Sequence, residues 1–115
     1  MHRFLEDVQQ SLEKNFSEYR IEFIIKTPKS LKTKIYLHDD YFIALRYNAR
    51  NGRIDVALIK NNQRIFGYDN LKEWHFHPYD NPSEHIPCES PSIEKIISDI
   101  RKYYEMDKQD SIIEA

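Results

Sequence analysis

The chain has 115 residues, of which 40% are hydrophobic and 13% aromatic, with a formal net charge of −2 and one cysteine. That length suits one domain with one modest core. No apolar run approaches the roughly 20 residues of a membrane helix, and Cys88 alone makes no intrachain disulfide.

The N-terminal run Met1 to Asp7 carries Arg3, Glu6 and Asp7 and lacks the apolar core of a secretory signal, so the expected compartment is the cytoplasm. Phe4, Leu5, Val8, Leu12 and Phe16 recur at helical spacing, with polar residues between them, and predict an amphipathic first helix. From Arg20 the pattern changes to β-branched and aromatic residues broken by turn signals. Strands are expected at 20–26, 31–38, 41–48, 54–60 and 64–69. Their turns fall at Thr27-Pro28-Lys29-Ser30, Asp39-Asp40, Asn51-Gly52 and Asn61-Asn62. Connections this short imply an antiparallel meander, because parallel neighbours need long crossovers.

Between Asn70 and Ser92 lie four of the five prolines: Pro78, Pro82, Pro87 and Pro91. A brief extended piece at 74–77 and then an irregular loop are expected. Ser90-Pro91 reads as a helix N-cap followed by first-turn proline. Ile93, Ile96, Ile97, Ile100 and Tyr104 then predict a second amphipathic helix. The expected fold is α+β: an N-terminal helix, a meander of about five strands, a His/Pro-rich loop, and a C-terminal helix packed on the sheet. The expected division is a single domain over 1–106 and a polar tail over 107–115.

Charge is unevenly distributed. From Arg20 through Arg64 there are ten basic residues and four acids, a local charge of +6, and the rest of the chain carries −8. Basic strand faces of this kind either pair with acidic helices or meet a polyanion such as RNA. Arg46, Arg53, Lys60 and Arg64 are the candidates for that surface, the arginines because a guanidinium binds phosphate bidentately.

Three of the five histidines, His75, His77 and His85, fall in one short window with Glu84, just after Tyr68-Asp69-Asn70. On a strand, His75 and His77 point to one face. Histidine titrates nearest neutrality and suits proton transfer or metal ligation. RNA cleavage without metal needs a base for the 2′-OH, an acid for the leaving oxygen and a cation for the phosphorane. Histidines can fill the first two roles, Arg64 or Arg46 the third, and Asp69 can orient a ring. His77 is the best-placed catalyst by sequence, because Pro78 holds it to extended backbone. Tyr68 and Trp74 offer flat faces for a splayed base, with Asn70 beside them. The simpler alternative makes Trp74 and Phe76 core residues, Asp69-Asn70 a turn and the histidines solvated.

The run Arg64-Ile65-Phe66-Gly67-Tyr68-Asp69-Asn70, then His75-x-His77-Pro78 and a helix opening after Glu89-Ser90, resembles the TumE-like toxins of bacterial and archaeal toxin–antitoxin pairs. The resemblance covers residues 20 to 104. It departs from the family pattern where Leu71-Lys72-Glu73 stands in the place of an early His-His pair. It implies a small RNA-cleaving toxin neutralised by a cognate antitoxin; the expected partners are that antitoxin and RNA, free or ribosome-associated, and no cofactor is expected. Two other functions fit the residues. One is a zinc-type metal site built from His75, His77, His85 and Glu84; the other is an RNA-binding module without catalysis. Cys88, between Pro87 and Glu89, has no neighbouring positive charge to activate it as a nucleophile.

Overall fold

The computed structural model describes residues 2–38 and 40–114. Helix α1 (His2–Asn15) leads into seven strands: β1 (Arg20–Lys26), β2 (Ser30–Tyr36), β3 (Tyr41–Asn48), β4 (Arg53–Lys60), β5 (Gln63–Asp69), β6 (His75–His77) and β7 (Ile86–Pro87). Helix α2 (Ile93–Glu114) closes the chain. The strands form one antiparallel sheet in sequence order, so the expected meander and α+β class are observed. The sheet has seven strands where about five were expected. The added pieces are β6 and the two-residue β7, which pairs Ile86 with Phe76 and Pro87 with His75. A strand of two residues has no hydrophobic alternation to read, and its proline is tolerated because it lies at the sheet edge.

The turns follow their residues. Asn61 and Asn62 both adopt positive φ, 52° and 64°, as a two-residue hairpin of the primed type requires. The β3–β4 loop is longer than a two-residue turn. It spans residues 49–52, and Gly52 takes φ 72° where a side chain would be strained. Asp39, half of the expected Asp39-Asp40 turn, lies outside the described residues.

The two faces of the sheet differ. Leu31, Ile35, Ile43, Leu45, Val56, Leu58 and Phe66 alternate along their strands to form one buried face. Val8 and Leu12 of α1 and Ile96, Ile97 and Ile100 of α2 pack into the same core. Aromatic contacts tie both helices to this face: Phe4 stacks on Tyr47 with ring centroids 4.1 Å apart, and Tyr103 lies 4.4 Å from Phe66. Helix α2 is capped by Ser92 rather than Ser90: the Ser92 hydroxyl accepts the Lys95 N–H at 3.1 Å. The helix continues past Met106, where the polar tail was expected, to Glu114. Asp107 accounts for part of that continuation, since its carboxylate accepts hydrogen bonds from Tyr41 and Tyr79. Among the described residues, no helix is long and apolar enough to cross a membrane.

Candidate functional site

The period of two sends alternate residues to the face opposite the helices, and the strand register lines them up in two rows. The first row runs Lys32, Arg46, Asp55, Asp69, His75 from β2 to β6. The second runs Lys34, Ala44, Ala57, Gly67, His77. Basic residues therefore occupy one end and histidines the other. The middle of the second row is floored by small residues, leaving a groove of about 250 Å³ lined by Lys32, Lys34, Arg46, Asp55 and Arg64 among others. A Cβ on Gly67 would lie 2.9 Å from the Val56 carbonyl oxygen, so glycine permits the close β4–β5 approach.

The histidines converge at the far end. His75 and His77 share a face as alternation requires, 8% and 3% exposed. The loop after Pro78 doubles back through turn bonds from Asn81 N–H to the Pro78 carbonyl and from Glu84 N–H to the Asn81 carbonyl. The β6–β7 pairing then sets exposed His85 against both rings, with centroids 4.8 Å from His75 and 4.5 Å from His77. One nitrogen from each of the three histidines lies within 4.8 Å of the others.

Asp69 organises the cluster. Its Oδ2 lies 3.0 Å from Nε2 of His75 and 3.0 Å from Nε2 of His77, and its Oδ1 accepts the Leu71 N–H at 3.0 Å. Burial acts to raise the Asp69 pKa. The His77 and Leu71 hydrogen bonds, with the nearby histidine charges, outweigh it and hold the carboxyl below its ordinary range. Nδ1 of His75 faces the Glu73 carbonyl and Nδ1 of His77 the Pro82 carbonyl, each at 3.1 Å. A carbonyl only accepts, so both Nδ1 atoms carry protons and both Nε2 atoms turn toward Asp69. His77 Nε2 makes that hydrogen bond, whereas His75 Nε2, although close, is buried without one.

Asp55 is the register partner of Asp69. Burial and the Asp69 charge push its carboxyl up, against the pull of Arg64, Arg53 and Arg46. Two facing carboxylates in one row favour a cation nearby.

The other sequence candidates occupy different places. Arg46 and Arg64 line the groove, while Arg53 is paired with Asp55 at 3.7 Å. Lys60 lies against the Tyr41 ring and pairs with Asp107 of α2 at 3.5 Å, on the helix side. Tyr68 is 6% exposed in the core, and its hydroxyl donates to Asp99 at 2.6 Å, so its ring faces α2 and not the groove. Trp74 is half-buried against the core. Asn70 ties the β3–β4 loop to β5: its Oδ1 accepts the Ile54 N–H at 2.8 Å and its Nδ2 donates to the Gly52 carbonyl at 2.9 Å. Glu84 is exposed in the loop beside Asn81, so the carboxylate at the histidines is Asp69. Burial pushes the Cys88 thiol up, against Lys95, which leaves it unactivated. Lys32 and Lys34 were not among the sequence candidates. Two lysines two residues apart in a strand otherwise alternating Leu, Thr and Ile were a signal for one basic face.

A family model described as Toxin TumE matches residues 2–107. No curated protein and no solved structure matches the chain.

Proposed function

The chain belongs to the TumE toxin family, and from that premise we propose that it is the toxin of a toxin–antitoxin pair that cuts RNA at the His75–His77–His85 cluster. Membership of a toxin family implies an antitoxin partner. One observation carries the nuclease reading: two cross-strand rows on the helix-free face lead from Lys32, Lys34 and Arg46 to the histidines around Asp69. Strands are about 4.8 Å apart, so Arg46 stands roughly 10 Å from Asp69. A single strand laid along the rows can rest one phosphate on Arg46 and Arg64 while a later phosphate of the same strand reaches the cluster. The floor of Ala44 and Ala57 leaves room for the backbone of a single strand.

His85 is the exposed member and accepts the proton of the 2′-OH. The 2′ oxygen attacks phosphorus, the bond to the 5′ oxygen breaks, and a histidine proton passes to that oxygen, leaving a 2′,3′-cyclic phosphate and a 5′-OH. His75 is suited to the donor role when its Nε2 carries a second proton beside the Asp69 carboxylate, 3.0 Å away. His77, with both ring nitrogens bonded, positions Asp69 and the neighbouring rings.

Expression without the antitoxin is expected to slow growth. His85→Ala should relieve it, lowering RNA cleavage about 10²–10⁴-fold with RNA affinity and melting temperature unchanged. Cleavage undiminished in a folded His85→Ala protein would remove the assigned role. RNA binding by a wild-type protein that never cuts would instead favour a non-catalytic binding module.

A further inference from the structure

We propose that His75, His77, His85 and Asp69 form a binding site for one divalent transition-metal ion of the zinc class. The ring geometry is the first support. Both buried histidines have Nδ1 committed to backbone carbonyls, at 3.1 Å each, the arrangement that fixes Nε2 as the ligand atom in metal-bound histidines. Both Nε2 atoms then converge on one carboxylate oxygen at 3.0 Å. With Nδ1 protonated, each Nε2 facing that oxygen needs either a second proton or a cation between them, and one metal ion serves both rings at once.

The second support is the burial of one of these atoms. His75 is 8% exposed, and its Nε2 is buried with no hydrogen-bond partner. A buried polar atom left unsatisfied is costly, and a metal bond satisfies it. Distances allow this. Ligands about 2.0–2.1 Å from a tetrahedral zinc lie about 3.3 Å from one another. The Asp69–histidine separations are already close to that value, and the three histidine nitrogens lie within 4.8 Å. His85 is exposed on a loop, so its ring has the freedom to close the remaining gap. Three nitrogens and one carboxylate oxygen form a donor set that suits zinc or cobalt and not magnesium or calcium, which take oxygen ligands.

The consequence for activity rests on the nuclease reading. An ion on His85 takes the lone pair with which His85 accepts the 2′-OH proton, so the loaded protein cuts RNA more slowly than the metal-free one.

The test titrates the full chain, stripped with chelator, with Co²⁺ and then with Zn²⁺. One equivalent of Co²⁺ should give the visible absorption of a tetrahedral site, Zn²⁺ should displace it, and Zn²⁺ should raise the melting temperature. His75→Ala should abolish the absorption. Because that buried change can unfold the protein, His85→Ala is the deciding variant: its affinity should fall at least about 10²-fold. Absence of saturable one-to-one binding, or unchanged affinity in His85→Ala, overturns the site. Zinc that slows cleavage, with recovery on chelation, supports both readings. Zinc that accelerates cleavage keeps the site and overturns proton transfer by His85. Binding by a protein that cuts no RNA keeps the site and overturns the nuclease.

Discussion

At the residue scale, Tyr68-Asp69-Asn70 divides its work among three directions. Tyr68 turns into the core to donate to Asp99, Asp69 turns to the histidines, and Asn70 turns along the sheet to hold the Gly52 loop. Strand alternation separates the first two, and the end of β5 at Asp69 frees the third. The role of Asn70 is therefore structural. Asn70→Ala removes an acceptor from the Ile54 N–H and a donor from the Gly52 carbonyl. It should destabilise the fold by about 1–3 kcal/mol in urea unfolding. Purified Asn70→Ala that remains folded should cut RNA at the wild-type rate. A large loss of cleavage without loss of stability would place Asn70 in contact with RNA.

At the element scale, β4, β5 and β6 act as one unit that sets the distance between groove and histidines. Gly67 controls that unit, since a Cβ there meets the backbone oxygen of Val56 at 2.9 Å and Ala57 Cβ at 3.2 Å. Backbone in a central strand cannot give way as the end of a flexible side chain can. Gly67→Ala should cost about 1–3 kcal/mol by overpacking. Because Gly67 pairs with His77, the shift should also disturb the His77–Asp69 bond. The check is a denaturation curve together with the histidine ring resonances of the variant. Wild-type stability and unchanged resonances would show that β5 absorbs the extra carbon elsewhere.

At the scale of the whole molecule, Asp107 links the end of α2 to the sheet and to the loop after β6. It accepts from Tyr41 and Tyr79 and pairs with Lys60. Burial acts to raise its pKa, but the tyrosine hydrogen bonds and Lys60 prevail and hold it below its ordinary value of 3.8. A carboxyl depressed on folding contributes stability in full above the unfolded value. That contribution is lost as pH falls through the folded value. Asp69, also depressed, adds in the same direction. Asp55, whose carboxyl is pushed up, acts in the opposite direction. The urea midpoint should fall as the pH drops from about 4 toward 2. In Asp107→Asn the fall should be smaller, because the Asp107 share is removed. Equal falls in the two proteins would mean that the Asp107 contacts contribute nothing to folding.

The periodicities of α1, β2 to β5 and α2 were legible in the residues, because burying one face of a helix or strand imposes spacing that the chain itself records. So were the Asn61-Asn62 hairpin, the meander and the grouping of His75 with His77, all consequences of local backbone geometry. Strand β7 and the fold-back of His85 were not legible, since a two-residue strand and a proline-rich loop carry no repeating pattern. The side on which Tyr68 and Lys60 lie, the choice of Asp69 over Glu84 and the neighbouring of Asp55 with Asp69 depend on strand register and helix placement. Those are settled by which faces pack together across the sheet, and only the tertiary structure records that.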